Sequence, residues 1–241
     1  MAQDLVNVMQ RLGFARFSLT GHDRGGWVTY QMALDHPDQL NQFAVLDVLP
    51  TETVWERADA RFALAYWPWS LLAQPEPLPE RILEAVPEAI IDDALGGWGT
   101  PSAVFPAEVR AAYVQALRDP RHTHAICEEY RAAAAIDREH DRVDHASGHR
   151  ITCPLLVLWS ARGPLASWYG EEGGPLVLWR AFGEEVVGQA LDAGHFFPEE
   201  VPQPTAHALT GFFGEAASSP LAKRESQEVV RRGDKHGRDA P

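Results

Sequence analysis

Cysteine is scarce in this chain of 241 residues: Cys127 and Cys153 are its whole complement, and they form neither a disulfide framework nor a metal-ligand spacing. That usage points to a reducing compartment. No stretch approaches the roughly 18 apolar residues of a membrane span, and the opening MAQDLVNVMQRLG lacks the basic-then-apolar order of a secretory leader. Positive charge is short as well. Lys and Arg number 21 against 34 Asp and Glu, a net charge of −13 that opposes binding to nucleic acid or to an anionic membrane. These absences lead us to expect a soluble, cytoplasmic protein whose partner is a small molecule. What is present is apolar mass: 45% of the residues are hydrophobic, with 8 Trp and 10 Phe. That is enough to bury the core of one large domain, or of a domain with an insertion.

Leu5, Val8, Met9 and Leu12 recur at i, i+3, i+4 and i+7, which predicts an opening amphipathic helix that buries this face and stops near Gly13. ARFSLTG then reads as a short strand, GGWVTYQMALDHP as a helix ended by Pro37, and NQFAVLDVLP as a second strand closed by Asp47 and Pro50. Helix, strand, helix and strand in quick succession indicate a parallel βαβ architecture. From residue 51 to 149 the texture is helical, aromatic and broken by prolines, with no strand-like run. We read it as an inserted helical cap. The α/β pattern resumes with CPLLVLWSARG, PLVLWRAFG and VVGQALDAGH, and a last helix covers PTAHALTGFFGEA. The expected organisation is therefore a core in two parts, 1–50 and 150–214, a cap over 51–149, and a polar, disordered tail over 215–241.

Within SLTGHDRGGWVTYQMALDHP, residues 18–37, Asp23 stands at the centre of a Gly-x-Asp-x-Gly turn between strand and helix. Gly21 and Gly25 would remove side chains that clash at so sharp a turn, and the helix start favours an anion. An ordinary helix-capping Asp is the plainer reading. His195 follows the last strand in ALDAGHFFPEE, where a base reaches an elbow at the same sheet edge. This position sets it above His22, His122, His124 and His207. The acid that orients it is Asp47, at the end of the strand after the elbow helix. LLVLWSARGPLASWYG offers no carboxylate before Glu171, which is the weaker candidate. An ordinary carboxylate, with a pKa of about 4, is ionised at neutral pH and attacks without a base. It suits displacement at a saturated carbon, giving an alkyl-enzyme ester that His195 then hydrolyses through water, with the Arg24 N–H as an oxyanion donor. Carbon–halogen cleavage and epoxide opening both use this scheme.

Over residues 1–214 the chain resembles the haloacetate (fluoroacetate) dehalogenases of the α/β-hydrolase superfamily. The residues that carry the likeness are GHDRGG from Gly21, ALDHP from Ala33, VLD ending at Asp47, AYWPW from Ala65, QPEPLPE from Gln74, CEEYRAAAAID from Cys127 and DAGHFFPEE from Asp192. The resemblance implies an α/β-hydrolase fold, a mostly parallel sheet with a helical cap. It implies Asp23 as nucleophile, His195 as base and Asp47 as acid. It further implies Arg24 on a substrate carboxylate, Trp69 and Tyr130 on the halide, no metal or organic cofactor, and a homodimer as the assembly to test. Two positions depart from the pattern: Trp27 stands where that family has a second carboxylate-binding arginine, and Pro68 where it has a halide-binding histidine. A third departure is at the front, where the elbow follows the first strand of the chain instead of the fifth. The first strands of the family core, with a His-Gly loop, are expected to be missing, leaving strand 16–20 with an exposed edge. The leading expectation is thus hydrolysis of a small haloacid. The alternatives are an epoxide hydrolase using Tyr130 with Tyr66 or Tyr113, and a non-catalytic truncated remnant.

Overall fold

A computed structural model describes residues 1–217. The expected disordered tail lies outside the described residues except for its first three, which continue the last helix. Four strands, β1 (Phe17–His22), β2 (Leu40–Leu46), β3 (Leu155–Ser160) and β4 (Val186–Leu191), form one parallel sheet in that order. Because every pair is parallel, all four carboxyl ends lie along one edge. There Asp23, Asp47 and His195 follow β1, β2 and β4.

The side-chain period of two divides the inner strands between two apolar layers. Phe43, Val45, Leu155 and Val157 pack with Tyr30, Leu178 and Trp179, from helices α2 (Arg24–Asp35) and α12 (Gly174–Trp179). Ala44, Leu46, Leu156 and Leu158 face Phe197, Leu209 and Phe212 instead, from α13 (Phe197–Glu200) and α14 (Pro202–Ala217). Inner strands buried on both faces account for their nearly unbroken apolar runs. Strand β2 stops at Leu46, directly before Asp47, the first of its two expected terminators, which turns the backbone to a φ of 51°. Strand β1 lies at the sheet edge, with Ser18 and Thr20 exposed.

The opening helix α1 (Ala2–Arg11) forms, but not with its expected face inward. Val6 is buried and Ala2 and Met9 pack beside it, whereas Leu5, Val8 and Leu12 are about half exposed or more. The i, i+3, i+7 stripe is present in the sequence, and a neighbouring stripe makes the contact with the core.

Eight α-helices separate β2 from β3: α3 (Thr51–Glu56), α4 (Ala60–Ala65), α5 (Trp67–Leu71), α6 (Leu78–Ala85), α7 (Pro87–Gly97), α8 (Ala107–Leu117), α9 (Pro120–Ala134) and α10 (Ile136–Ser147). Prolines open four of them within the first two positions, where a missing N–H costs nothing. A proline also opens α11 (Pro164–Trp168), a short helix after β3 that the sequence reading passed over, as it did α13.

The helical segment is tied to the end of β2 through Asp141 on α10. Its Oδ2 accepts from Thr51 Oγ1 at 2.5 Å and from the Glu52 N–H at 3.2 Å, at the start of α3. Burial raises the Asp141 pKa from 3.8 to about 6, against the opposing effect of those two hydrogen bonds. A folded pKa above the unfolded one means that the contribution is fully present below the unfolded value and lost as pH rises through the folded value. Asp141→Asn keeps an acceptor oxygen and removes the charge. It should leave stability unchanged below about pH 4 and raise it by roughly 1–3 kcal/mol at pH 8, read as the difference in urea midpoints.

Candidate active site

The turn after β1 is built by glycine, though not by the pair the sequence suggested. A Cβ on Gly21 would lie 2.2 Å from the Gly25 carbonyl oxygen and 2.7 Å from the Gly26 nitrogen. A Cβ on Gly26 would lie 2.4 Å from Val48 Cγ1, so this glycine lets α2 approach the chain leaving β2. Gly25 is exposed, and a Cβ there meets nothing within 4 Å. The close packing is therefore at Gly21 and Gly26. Gly25→Ala should fold with nearly wild-type stability, whereas Gly21→Ala should lose about 3 kcal/mol or more in chemical denaturation, since backbone must move to admit the methyl.

The same turn holds Asp23 at φ 50° and ψ −125°, and Asp47 sits at φ 51°. Left-handed backbone at a non-glycine residue costs about 1–3 kcal/mol and concentrates at functional sites. Among the described residues these two carboxylates are the only non-glycine residues with positive φ. Asp23 occupies the N-cap position of α2, yet its side chain makes no capping hydrogen bond. The structure thus departs from the plain helix-cap reading.

Asp47 is buried, and both its oxygens are engaged: Oδ1 accepts from the Ser160 N–H at 2.9 Å and Oδ2 lies 2.7 Å from His195 Nδ1. A carboxylate only accepts, so Nδ1 carries the proton and Nε2 is left with a lone pair. Two indoles fix the strand exit that carries Asp47, with Trp179 Nε1 donating to the Val48 carbonyl at 2.8 Å and Trp27 Nε1 to the Leu49 carbonyl at 3.0 Å. Trp27 therefore has a structural task of its own. Glu171 is exposed in a 3-10 turn (Gly170–Glu172), while His195 bonds Asp47.

His195 itself is buried, its N–H donating to the Trp98 carbonyl at 2.9 Å. Gly194 permits this: a Cβ there would lie 2.0 Å from the Thr100 nitrogen. Burial alone would depress the His195 pKa, but the hydrogen bond to Asp47 and the charges of Asp47 and Asp23 outweigh it, and the net shift is upward. His22, which the sequence reading ranked below His195, lies against it with ring centroids 4.6 Å apart, and its Nε2–H donates to the His195 carbonyl at 3.0 Å. Burial and the neighbouring His195 charge push the His22 pKa down. It serves as a neutral support, and its place immediately before Asp23 was the available signal.

Asp23, Asp47 and His195 share a cavity of about 30 Å³ with Trp69 and Tyr130, and with Tyr66, Trp98, Leu49 and Leu165. That is room for about two waters, so an occupant must be small or must spread the walls. The indole N–H of Trp69 and the hydroxyls of Tyr66 and Tyr130 have no hydrogen-bond partner among the described residues. Burial first, then the charges of Asp47 and Asp23, raise the Tyr66 pKa, and burial with Asp23 raises that of Tyr130, so both phenols stay donors. Pro68 lines the wall without a donor. Arg24 does not line it. Its Nη1 lies 2.5 Å from Glu129 Oε2, and its guanidinium is 5.2 Å from the Tyr130 ring centroid.

No protein-family model matches the chain. It is 39% identical over 229 residues to a fluoroacetate dehalogenase of Burkholderia sp, covering 94% of this chain and 73% of that protein. Among solved structures, an α/β-hydrolase candidate from Nostoc sp PCC 7120 superposes with a TM-score of 0.83 at 42% identity, covering 88% of this chain and 71% of that one. A candidate epoxide hydrolase from Pseudomonas aeruginosa also gives 0.83, at 38% identity, over 90% of this chain and 71% of its own. No helix among the described residues is long and apolar enough to cross a membrane.

Proposed function

The chain belongs to the α/β-hydrolases, among their dehalogenase-like members, and from that premise we propose that it hydrolyses the carbon–halogen bond of small organic halides through an ester on Asp23. The observation that carries this reading is the Asp23 side chain, which leaves its own helix uncapped and faces a cavity it shares with His195. An Asp23 carboxylate oxygen attacks the carbon bearing halogen, the carbon–halogen bond breaks, and halide departs with the electron pair. Trp69 Nε1–H and the Tyr130 hydroxyl donate to it. His195 Nε2 then takes a proton from water, and the resulting hydroxide adds to Asp23 Cγ. The oxyanion is met by the Arg24 N–H at the start of α2, one of the donors a helix leaves unpaired there. Collapse breaks the Cγ–O bond to the substrate carbon, and the departing alcohol takes the proton back from His195. The sum is halide, alcohol and one proton from organic halide and water. The helical segment 51–149, which supplies Tyr66, Trp69, Trp98 and Tyr130, acts as the cap over this chemistry.

The pKa pattern suits the order of events. Esterification neutralises Asp23 and so removes one of the charges that raise the His195 pKa, which shifts the imidazole toward the free base at the step that needs one. The acid limb of kcat should therefore lie at lower pH than the His195 titration of the free enzyme, which NMR should place above 6.5.

Epoxide opening is the second reading, favoured by Tyr66 and Tyr130 standing as two unpaired phenols on one cavity wall. Incubating the 241-residue chain with bromoacetate, bromoacetamide and styrene oxide separates the two. Halide by ion chromatography without diol supports the first reading, and diol without halide supports the second.

A further inference from the structure

The cations at this site are already spoken for. Arg24 stands beside the nucleophile, yet its Nη1 is 2.5 Å from the Glu129 carboxylate, with the two side chains 29% and 32% exposed. That Nη1 is buried and makes no hydrogen bond of good geometry, so charge holds the pair. The guanidinium lies over the ring of Tyr130, whose side chain lines the cavity while that of Arg24 does not. His195 is taken by Asp47. Position 27, where the resemblance places a second arginine, holds an indole that donates to the Leu49 carbonyl and meets Trp69 edge-on at 5.0 Å.

The remaining wall is aromatic and aliphatic. An anionic substrate would enter a small, poorly hydrated space beside the negative Asp23 with no unpaired cation to receive it, and the neutral donors of Trp69, Tyr66 and Tyr130, two of which serve the halide, would replace only part of its lost hydration. Repulsion would also grow as the Asp23 oxygen closed on the carbon next to the substrate carboxylate.

Resting on the carbon–halogen reading above, we infer that this site takes an uncharged organic halide, such as a haloacetamide or a short haloalkane, in place of a haloacid anion, with the Arg24–Glu129 pair as the selecting element. Uncharged substrates bring no second negative charge to Asp23 and lose far less hydration than a carboxylate does on entering an apolar cavity. Glu129 is thereby a specificity-determining residue, acting by cancelling Arg24.

Chloroacetamide and chloroacetate have nearly the same shape and differ in charge, which makes them the probes. Halide release by the 241-residue chain is measured for both, counting only turnover beyond two equivalents, since Cys127 and Cys153 can each be alkylated once. Each kcat/KM is divided by the rate of the same compound with free acetate ion, which removes intrinsic reactivity. The normalised ratio should favour the amide by at least about tenfold. Glu129→Gln, which frees Arg24, should move that ratio toward chloroacetate. A wild-type preference for chloroacetate overturns the inference and leaves the dehalogenase reading standing, as does a Glu129→Gln protein with native circular dichroism and an unmoved ratio. Halide from neither compound, nor from bromoethane, overturns the dehalogenase reading and this inference with it.

Discussion

Asp23→Asn should abolish catalytic halide release, with a loss of roughly 10⁴-fold or more, the scale seen when a nucleophile is removed. The replacement is nearly isosteric, and asparagine is among the side chains that best tolerate left-handed backbone, so the φ of 50° should survive. The Asp23 side chain also makes no capping hydrogen bond that the change would break. Stability in urea should therefore stay close to wild type while activity vanishes, a separation that damage to the fold could not produce. A single turnover of the unaltered protein in heavy-oxygen water is the companion measurement. Water adds to Asp23 Cγ, so the product alcohol keeps an oxygen that began on the protein. The heavy atom should be found in the tryptic peptide containing Asp23. Label appearing directly in the alcohol in that first turnover would mean that water attacks the substrate itself, and Asp23 would lose its assigned part.

The elbow and its partners differ in how far they could be read from the sequence. Strand-end positions were legible because a parallel sheet brings every carboxyl end to one edge, whatever lies between. Asp23, Asp47 and His195 could thus be grouped across 172 positions of chain from spacing relative to strands. Asp47 was reached by elimination, from the absence of any carboxylate close behind LLVLWS, and its Oδ2 lies 2.7 Å from His195 Nδ1. Contacts made across the sheet or between helices left no such mark. That Gly26 and not Gly25 is the crowded glycine depends on Val48 Cγ1, a neighbour 22 residues away. The Glu129 partner of Arg24 lies on α9, and nothing in CEEYR distinguishes it from the adjacent Glu128, which pairs with Arg131 instead. Helix α1 shows the limit of periodicity: two apolar stripes were available, and packing against α2 and the core selected the one through Val6. Local pattern settles which elements form, whereas the choice of face and of ion-pair partner belongs to tertiary packing.

His195→Gln should divide the reaction at its midpoint. Attack by Asp23 needs no base, so the variant should still release one halide per chain in a rapid burst. Water then lacks its proton acceptor, and steady turnover should fall by roughly 10²–10⁴-fold. Intact-mass analysis should show the chain heavier by one substrate less its hydrogen halide, with the adduct mapping to the peptide that contains Asp23. The substitution also leaves Asp47 buried beside a weaker donor, and truncating one partner of a buried pair commonly costs about 3–5 kcal/mol. Stability alone would therefore be a poor witness, but a stoichiometric ester can form only in a folded site with Asp23 in place. The burst and the adduct thus report on the fold and on the mechanism together. The pH dependence discriminates further. In the unaltered protein turnover falls as acid protonates His195, whose pKa is raised chiefly by Asp47 once burial is overcome. In His195→Gln the burst should show no such limb, because the group that titrates is gone and the carboxylate that attacks remains. A variant that turns over without accumulating ester would instead place the water-activating base elsewhere, with His22, 4.6 Å from the His195 ring, the first residue to replace.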